Sequence, residues 1–386
     1  MIKSNYKIRK SYFCREMRVL LLGEYSNVHW TLAQGLRKLG VDVTVVSDGD
    51  GWKCYPRDID LSRKYGRPFS GLAYLAQLLR LLPALKGYDR VQIINPVFVQ
   101  LKAEHILPIY KYLRRNNGKF SLAAFGMDRY WVLAGRSCRT FRYSDFNIGN
   151  CIRQSADIDK WINEWIEGAK GQLNTRIAMD CNDIIAGLYE YYQSYLPRFS
   201  GKTHFIPFPI NTDQIKGRIR RQPTPIRFFI GIQRDRNTYK GTDIMLHALE
   251  RIARDYPGRC EIVKVESVPY TQYQEMMDSC DVLLDQLYSY TPAMNGLLAM
   301  AKGLVLVGGG EPEGYDLLGD YDLRPIINVQ PTEQNVYDQL QRLVLHPELI
   351  PRLSASSIAY IKRYHDYVQV AQQYLDLWTS NSFTNS

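Results

Sequence analysis

The sequence has no apolar run long enough to cross a bilayer. Its longest, residues 19–23 and 78–85, are broken by Gly, Arg or Pro well before the ~18 residues that a membrane span needs. It also lacks the features of a cleaved leader. Lys3, Lys7, Arg9 and Lys10 are followed by Tyr, Cys, Arg and Glu where an apolar segment and a small-residue cleavage site would stand. Residues 1–16 read as an extension before the first strand, and the expected location is the cytoplasm. The seven cysteines, at 14, 54, 138, 151, 181, 260 and 280, include no CxxC pair and form no disulfide framework, as expected of free thiols in a reducing compartment. The six histidines show no HExxH or other zinc spacing, so no metal is expected. Low-complexity stretches and short-period repeats are missing too.

Acidic residues are scarce in one region. Between His105 and Arg142 eight Lys/Arg face the single acid Asp128, within a net charge of +10. Tyr110, Tyr112, Phe120, Tyr130, Trp131 and Phe141 interleave them. Such a stretch suits an anionic membrane surface, a phosphorylated acceptor or nucleic acid, and the plainer reading is a solvated basic face. No nucleic-acid reading motif accompanies it, so a nucleic-acid partner is not expected.

What is present is an alternation of apolar strands and amphipathic helices, the pattern of βαβ units around parallel sheets. Residues 18–22, 41–46, 91–94, 120–125, 183–186 and 204–210 read as strands, the last with Pro207 and Pro209 that suit an edge or connector, with helices at 27–39, 72–85 and 103–113 among them. A second series follows, with strands at 226–230, 260–265, 281–284, 304–307 and 326–329 and helices at 241–255, 270–279 and 294–301. The length of 386 residues suits two such lobes better than one. Residues 216–225, basic and proline-containing, read as the linker, and residues 136–172 show no clean strand. The fold class is therefore α/β with two lobes.

The strongest chemical signal lies after the first strand of the second series. Gly231 is followed by Arg234, Arg236, Lys240 and Gly241 and then a helix. Basic side chains collected where a parallel strand ends suit a diphosphate, because ligands of open α/β sheets bind there and helix N-termini favour anions. A second helix opening, Ala293, Met294 and Asn295, offers backbone amides, though taken alone it reads first as an ordinary Pro-initiated helix. The turn Gly308-Gly309-Gly310-Glu311 offers a carboxylate to sugar or ribose hydroxyls, or is a Gly-rich turn without that role. In the first series Asp128 is positioned to orient an acceptor hydroxyl, or to cap a turn. His29 is placed to bond an acceptor, or to pack inside its helix. Four DxD triplets, at 48–50, 58–60, 157–159 and 320–322, stand in unrelated contexts, and two nucleotide folds argue against a single-domain enzyme that uses one as a metal ligand.

Taken together these pieces resemble the GT-B glycosyltransferases, close to family 4 of the retaining enzymes, over nearly the whole chain except residues 136–172. The resemblance implies two facing Rossmann-like α/β/α domains. Residues 1–208 would hold the acceptor and 209–364 the nucleotide sugar, with a final helix within 365–386 returning to the first. It implies that Lys240 with Arg234 or Arg236 neutralises the donor diphosphate, catalysis resting on Lys240, Arg236 and Asp128. Gly241, Ala293, Met294, Asn295, Gly309 and Glu311 would complete the donor site. Gly23, Glu24, Asn27, His29 and Asp128 would line the acceptor side. The co-substrate would be a nucleotide diphosphate sugar with no further cofactor, and the acceptor a glycan or lipid-linked glycan at the inner membrane face. Members of the family usually carry two glutamates where this chain has Tyr290 and Leu298. That departure leaves a catalytically silent protein of the same fold as the alternative.

Overall fold

The computed structural model describes residues 17–66, 68–232, 237–266 and 268–380. In chain order the first strands are β1 (Arg18–Leu22), β2 (Asp42–Ser47), β3 (Ile59–Asp60), β4 (Arg90–Ile93) and β5 (Lys119–Ala124). A short antiparallel hairpin, β6 (Asn147–Ile148) and β7 (Cys151–Ile152), precedes β8 (Asp183–Ala186) and β9 (Thr203–Phe205). Apart from the hairpin these strands form one parallel sheet in the order β3-β2-β1-β4-β5-β8-β9. Val19, Leu20, Leu21 and Leu22 are all buried, since helices cover both faces, which is why β1 reads as a continuous apolar run without alternation.

The second sheet contains β10 (Ile226–Ile232), β11 (Cys260–Glu266), β12 (Val282–Leu284), β13 (Val305–Gly308) and β14 (Ile327–Asn328). It is also parallel, in the order β11-β10-β12-β13-β14. The strand order reverses between β1 and β4 in one sheet and between β10 and β12 in the other, and each reversal opens a crevice at the carboxyl ends of the strands.

The expected strand at 204–210 pairs only through Phe205. Pro207 and Pro209 have no amide hydrogen to give a ladder, and the chain runs on as a connector. Ile210 then exchanges hydrogen bonds with the tail, its amide donating to His365 O (2.7 Å) and its carbonyl accepting from Tyr367 N (3.1 Å). Residues 216–225 are no free linker, because Arg220 is buried, its amide donating to Ser354 Oγ (2.9 Å) and its guanidinium to Asp278 O (2.9 Å).

The tail helix Tyr367–Ser380 lies against the helix Val28–Lys38 beside the first sheet. Gly35 permits the contact, since a Cβ there would stand 2.2 Å from Tyr367 O. Residues 136–172 resolve into the hairpin, the helix Ala156–Ile162, a π-turn at Asn163–Glu167 and the start of the helix Ala169–Asp180. Phe141, Phe146 and Trp165 there join Trp131 of the preceding helix in a small aromatic core that reaches Tyr290 in the other lobe.

Candidate functional site: two facing crevices

At the first crevice, β1 ends on Gly23 with φ +81°, where a Cβ would lie 2.4 Å from Ile94 Cγ2. Ser26 and Asn27 also adopt positive φ (52° and 69°), an uncommon conformation that turns the chain sharply into its helix. Glu24 supplies the cap the helix lacks. Its two oxygens accept from His29 N (3.2 Å) and Trp30 N (2.8 Å), satisfying amides of the first turn. Burial pushes its carboxyl up to about 8.

His29 is fully buried. Its Nδ1 lies 2.8 Å from Gly23 O and its Nε2 3.1 Å from Gln92 Nε2, a network satisfied when Nδ1 carries the proton and Nε2 accepts. Burial lowers its pKa to about 3, so the ring is neutral. It packs within the lobe, and neither nitrogen is left for an acceptor. Asn27 Oδ1 is buried and has no partner among the described residues. Beyond β5, Asp128 is fully buried and caps the helix Arg129–Arg136. Its Oδ1 accepts from Trp131 N (2.8 Å) and its Oδ2 from Tyr195 OH (2.8 Å). The carboxylate placed by sequence to orient an acceptor has both oxygens engaged inside its own lobe.

At the second crevice, Gly241 (φ +71°) joins the short helix Asn237–Lys240 to Thr242–Asp255, and its missing Cβ leaves room for Leu287 and Tyr288. Lys240 is half-buried, not exposed as a strand-end position suggests. Two carboxylates feel its charge. Asp285, just after β12, is pushed up by burial and pulled back by Lys240 and Asn295, whose Nδ2 is 3.4 Å from Asp285 Oδ1. Asp145, in the first lobe, is pushed up to about 6 by burial against the opposing pull of Tyr239, Arg153 and Lys240. Ala293, Met294 and Asn295 open the helix Met294–Ala301 next to them, and no side chain caps its N-terminus. Gly309 packs so closely on Ser289 that a Cβ would lie 2.3 Å from its carbonyl oxygen. Arg234 and Arg236 lie outside the described residues.

Glu311 does not stand open to a ligand. Its carboxylate accepts from Tyr143 OH (2.6 Å), Arg142 Nη2 (2.6 Å), Asn328 Nδ2 (2.8 Å) and Gln330 Nε2 (2.6 Å). Burial raises its pKa, but these hydrogen bonds and the Arg142 charge outweigh it and hold the group below the usual range. Arg142 also pairs with Glu313, so two first-lobe residues clasp the second lobe. The seam continues at Glu190, which is buried and accepts from Tyr290 N (2.5 Å), Thr291 N (3.1 Å) and Thr291 Oγ1 (2.6 Å). Tyr290 stacks on Tyr189 with ring centroids 5.4 Å apart and accepts Arg142 N on its hydroxyl (2.7 Å). A cavity of about 340 Å³ opens against this seam, lined by Arg139, Arg142, Tyr189, Tyr290 and Glu313 among others. Neither Lys240 nor Asp285 lines it. Tyr55 of the first lobe meets Tyr270 of the second edge-on, with ring centroids 5.5 Å apart.

Arg142, Asp145, Arg153, Glu190 and Asp285 are the residues of this region that sequence reasoning passed over. Asp285 follows a readable strand, as Lys240 does, and position alone could have found it; the other four act across the lobes.

No protein-family model matches the chain, and no curated relative matches it by sequence. Solved structures match along nearly its whole length. Sucrose-phosphate synthase from Thermosynechococcus elongatus aligns with a TM-score of 0.62 at 14% identity, over 95% of this chain and 99% of that one. HepE from Anabaena, in complex with UDP and glucose, aligns at 0.58 and 13%, over 95% and 100%. The chain has the GT-B fold. A UDP-GlcNAc 2-epimerase from Neisseria meningitidis, bound to UDP-GlcNAc, is similar too, at 0.52 and 12% over 94% and 100%. At these identities the likeness is one of fold.

Proposed function

We propose that the chain is a glycosyltransferase, akin to the retaining enzymes of family 4, that moves a sugar from a nucleotide diphosphate donor in the second crevice to an acceptor entering from the first. The observation that carries this reading is Lys240. It follows β10, a strand that borders the switch point of the second sheet, and its charge acts on Asp145 and on Asp285, which also meets Asn295 at the uncapped start of Met294–Ala301. Charge develops on the departing diphosphate as the glycosidic bond breaks. A fixed cation and backbone amides aimed there stabilise that charge without reorganising, with Arg234 and Arg236 as further cations in the proposal. Hence transfer needs no metal. The similar structures solved with UDP, UDP-glucose or UDP-GlcNAc support a nucleotide sugar as co-substrate.

On the acceptor side Gly23, Glu24 and Asn27 shape the mouth, with Asn27 Oδ1 as its unused polar atom. His29 and Asp128 act by positioning. A glycan or lipid-linked glycan at the inner face of an anionic membrane is the proposed acceptor. The basic residues first expected to meet that membrane divide: Lys111 and Arg115 are exposed, while Arg114 pairs with Asp180 (3.3 Å).

A second reading, a silent binding protein of this fold, is favoured by Tyr290. The resemblance places a glutamate at that position, and the phenol here is buried in the seam between the lobes. A panel of nucleotide sugars separates the two readings by measured release of nucleoside diphosphate in EDTA. Release with at least one donor, undiminished by EDTA, is expected. Thermal stabilisation without release under any donor would favour the silent reading, since ligand at ~100 times its Kd adds about 2.7 kcal/mol.

A further inference from the structure

One helix of the first lobe is apolar where it should not be. Ser70–Leu81 buries only Tyr74 and Leu78, yet Leu72, Ala73, Ala76 and Leu79 are exposed at three- and four-residue spacing, which places them on one face. Phe69, Leu72 and Leu79 are 83%, 67% and 51% exposed, and Tyr65 just before them is 68% exposed. A helix whose apolar stripe faces solvent lacks the layer that should cover it.

The charge around the stripe indicates what that layer is. From Leu61 to Tyr88 the sequence has five basic residues, Arg63, Lys64, Arg67, Arg80 and Lys86, and no acid. Lys64, Arg80 and Lys86 are exposed. The acids that bracket the stretch are engaged, Asp60 by Arg57 (2.9 Å) and Asp89 by the amide of Arg18 (2.8 Å). No helix among the described residues is long and apolar enough to cross a membrane. An exposed apolar stripe bordered by cations suits the headgroup layer of an anionic bilayer.

We infer that Ser70–Leu81, with Tyr65 and Phe69, seats the first lobe on an anionic membrane. The same elements reach the acceptor crevice. Arg63 N donates to Gln100 Oε1 (2.8 Å), Gln100 N donates to Tyr74 OH (3.0 Å), and Gln100 Nε2 donates to Asp48 in the loop after β2. In that loop Asp50 in turn accepts from Ser26 N (2.9 Å). A bilayer against the stripe would thus lie at the edge where the loops after β1 and β2 open, beside the mouth that takes a lipid-linked acceptor. The inference deepens the acceptor reading above, and its test uses neither donor nor turnover, so either can fail alone.

The test is cosedimentation of the full chain with vesicles of phosphatidylcholine alone or with roughly one-third phosphatidylglycerol, at low and high salt. Binding to the anionic vesicles only, weakened by salt, is expected. The Leu72→Glu/Leu79→Glu variant should lose at least tenfold in binding at unchanged melting temperature. Should that variant fail to fold, Phe69→Ser, which removes a side chain with little buried area, should still weaken binding severalfold. Absence of wild-type binding, or equal binding by a folded stripe variant, would overturn the inference. A wild-type dimer in sedimentation velocity that Leu72→Glu/Leu79→Glu dissolves would overturn it too, by showing a second copy as the cover.

Discussion

The two crevices are built on the same plan and satisfied in opposite ways. In the first, Glu24, His29 and Asp128 all find their partners within their own lobe, so the mouth is formed before anything binds. In the second, the charge of Lys240 acts on Asp285 of its own lobe and Asp145 of the other, and Glu311 is held by Arg142 and Tyr143 from across the cleft. Its geometry therefore depends on how the lobes meet. A preformed mouth should respond to mutation with its lobe's stability, and a shared one with the coupling between lobes.

The largest effect is expected at the preformed mouth. Gly23→Ala forces a side chain into a left-handed backbone and against Ile94, and should cost about 3 kcal/mol from strain and overpacking together. Urea unfolding reads it; a cost near zero would mean that the turn rearranges freely and the first crevice is not fixed.

At the seam, Arg142→Ala leaves the buried Glu311 without its cation and should cost about 1–3 kcal/mol. A double-mutant cycle with Glu311→Gln should return a coupling of at least about 0.5 kcal/mol, and amide exchange at Tyr290 and Thr291 should rise. Independent effects would show that the clasp does not couple the lobes.

A smaller effect is set by pH. Glu24 titrates at about 8 in the folded chain against an ordinary 4.5, so the folded state holds a proton that the unfolded state has lost. Stability is then fully present below the ordinary value and falls as pH rises through about 8. Asp128 and Asp145, at about 6, act in the same direction. His29 and His365, lowered to about 3 and about 4, act oppositely below 6.5. Between pH 6.5 and 8 Glu24 dominates among these groups, with a slope of at most about 1.4 kcal/mol per pH unit. Glu24→Gln should flatten melting temperature across that window. A wild type already flat there would place the carboxyl in contact with water.

The same contrast explains what the sequence disclosed. β1 and the helix Met294–Ala301 are legible to the residue, because buried parallel strands are continuous apolar runs and Gly marks their ends. At 204–210 the apolar pattern outruns the ladder, which stops at Phe205, and Pro207 and Pro209, which suit an edge or connector, mark the change. Residues 136–172 stayed opaque because a two-residue hairpin and a π-turn carry their aromatic anchors at no regular period. The two-lobed arrangement was legible in the double βαβ series, and its GT-B form came from the family resemblance. At the site, Lys240 and Gly241 were marked by charge at a strand end. Arg142 and Glu311 are 169 positions apart, and no local spacing can announce such a pair.

The central claim is that Lys240 faces a diphosphate, and calorimetric titration with UDP, ADP and GDP, each beside its parent nucleoside, tests it directly. Wild type should bind at least one diphosphate. Lys240→Ala should weaken that binding by roughly 10- to 100-fold, as loss of a charged hydrogen bond predicts, while leaving the nucleoside unaffected and Lys240→Arg intermediate. Binding of the diphosphate by a folded Lys240→Ala variant as tightly as by wild type would contradict the account.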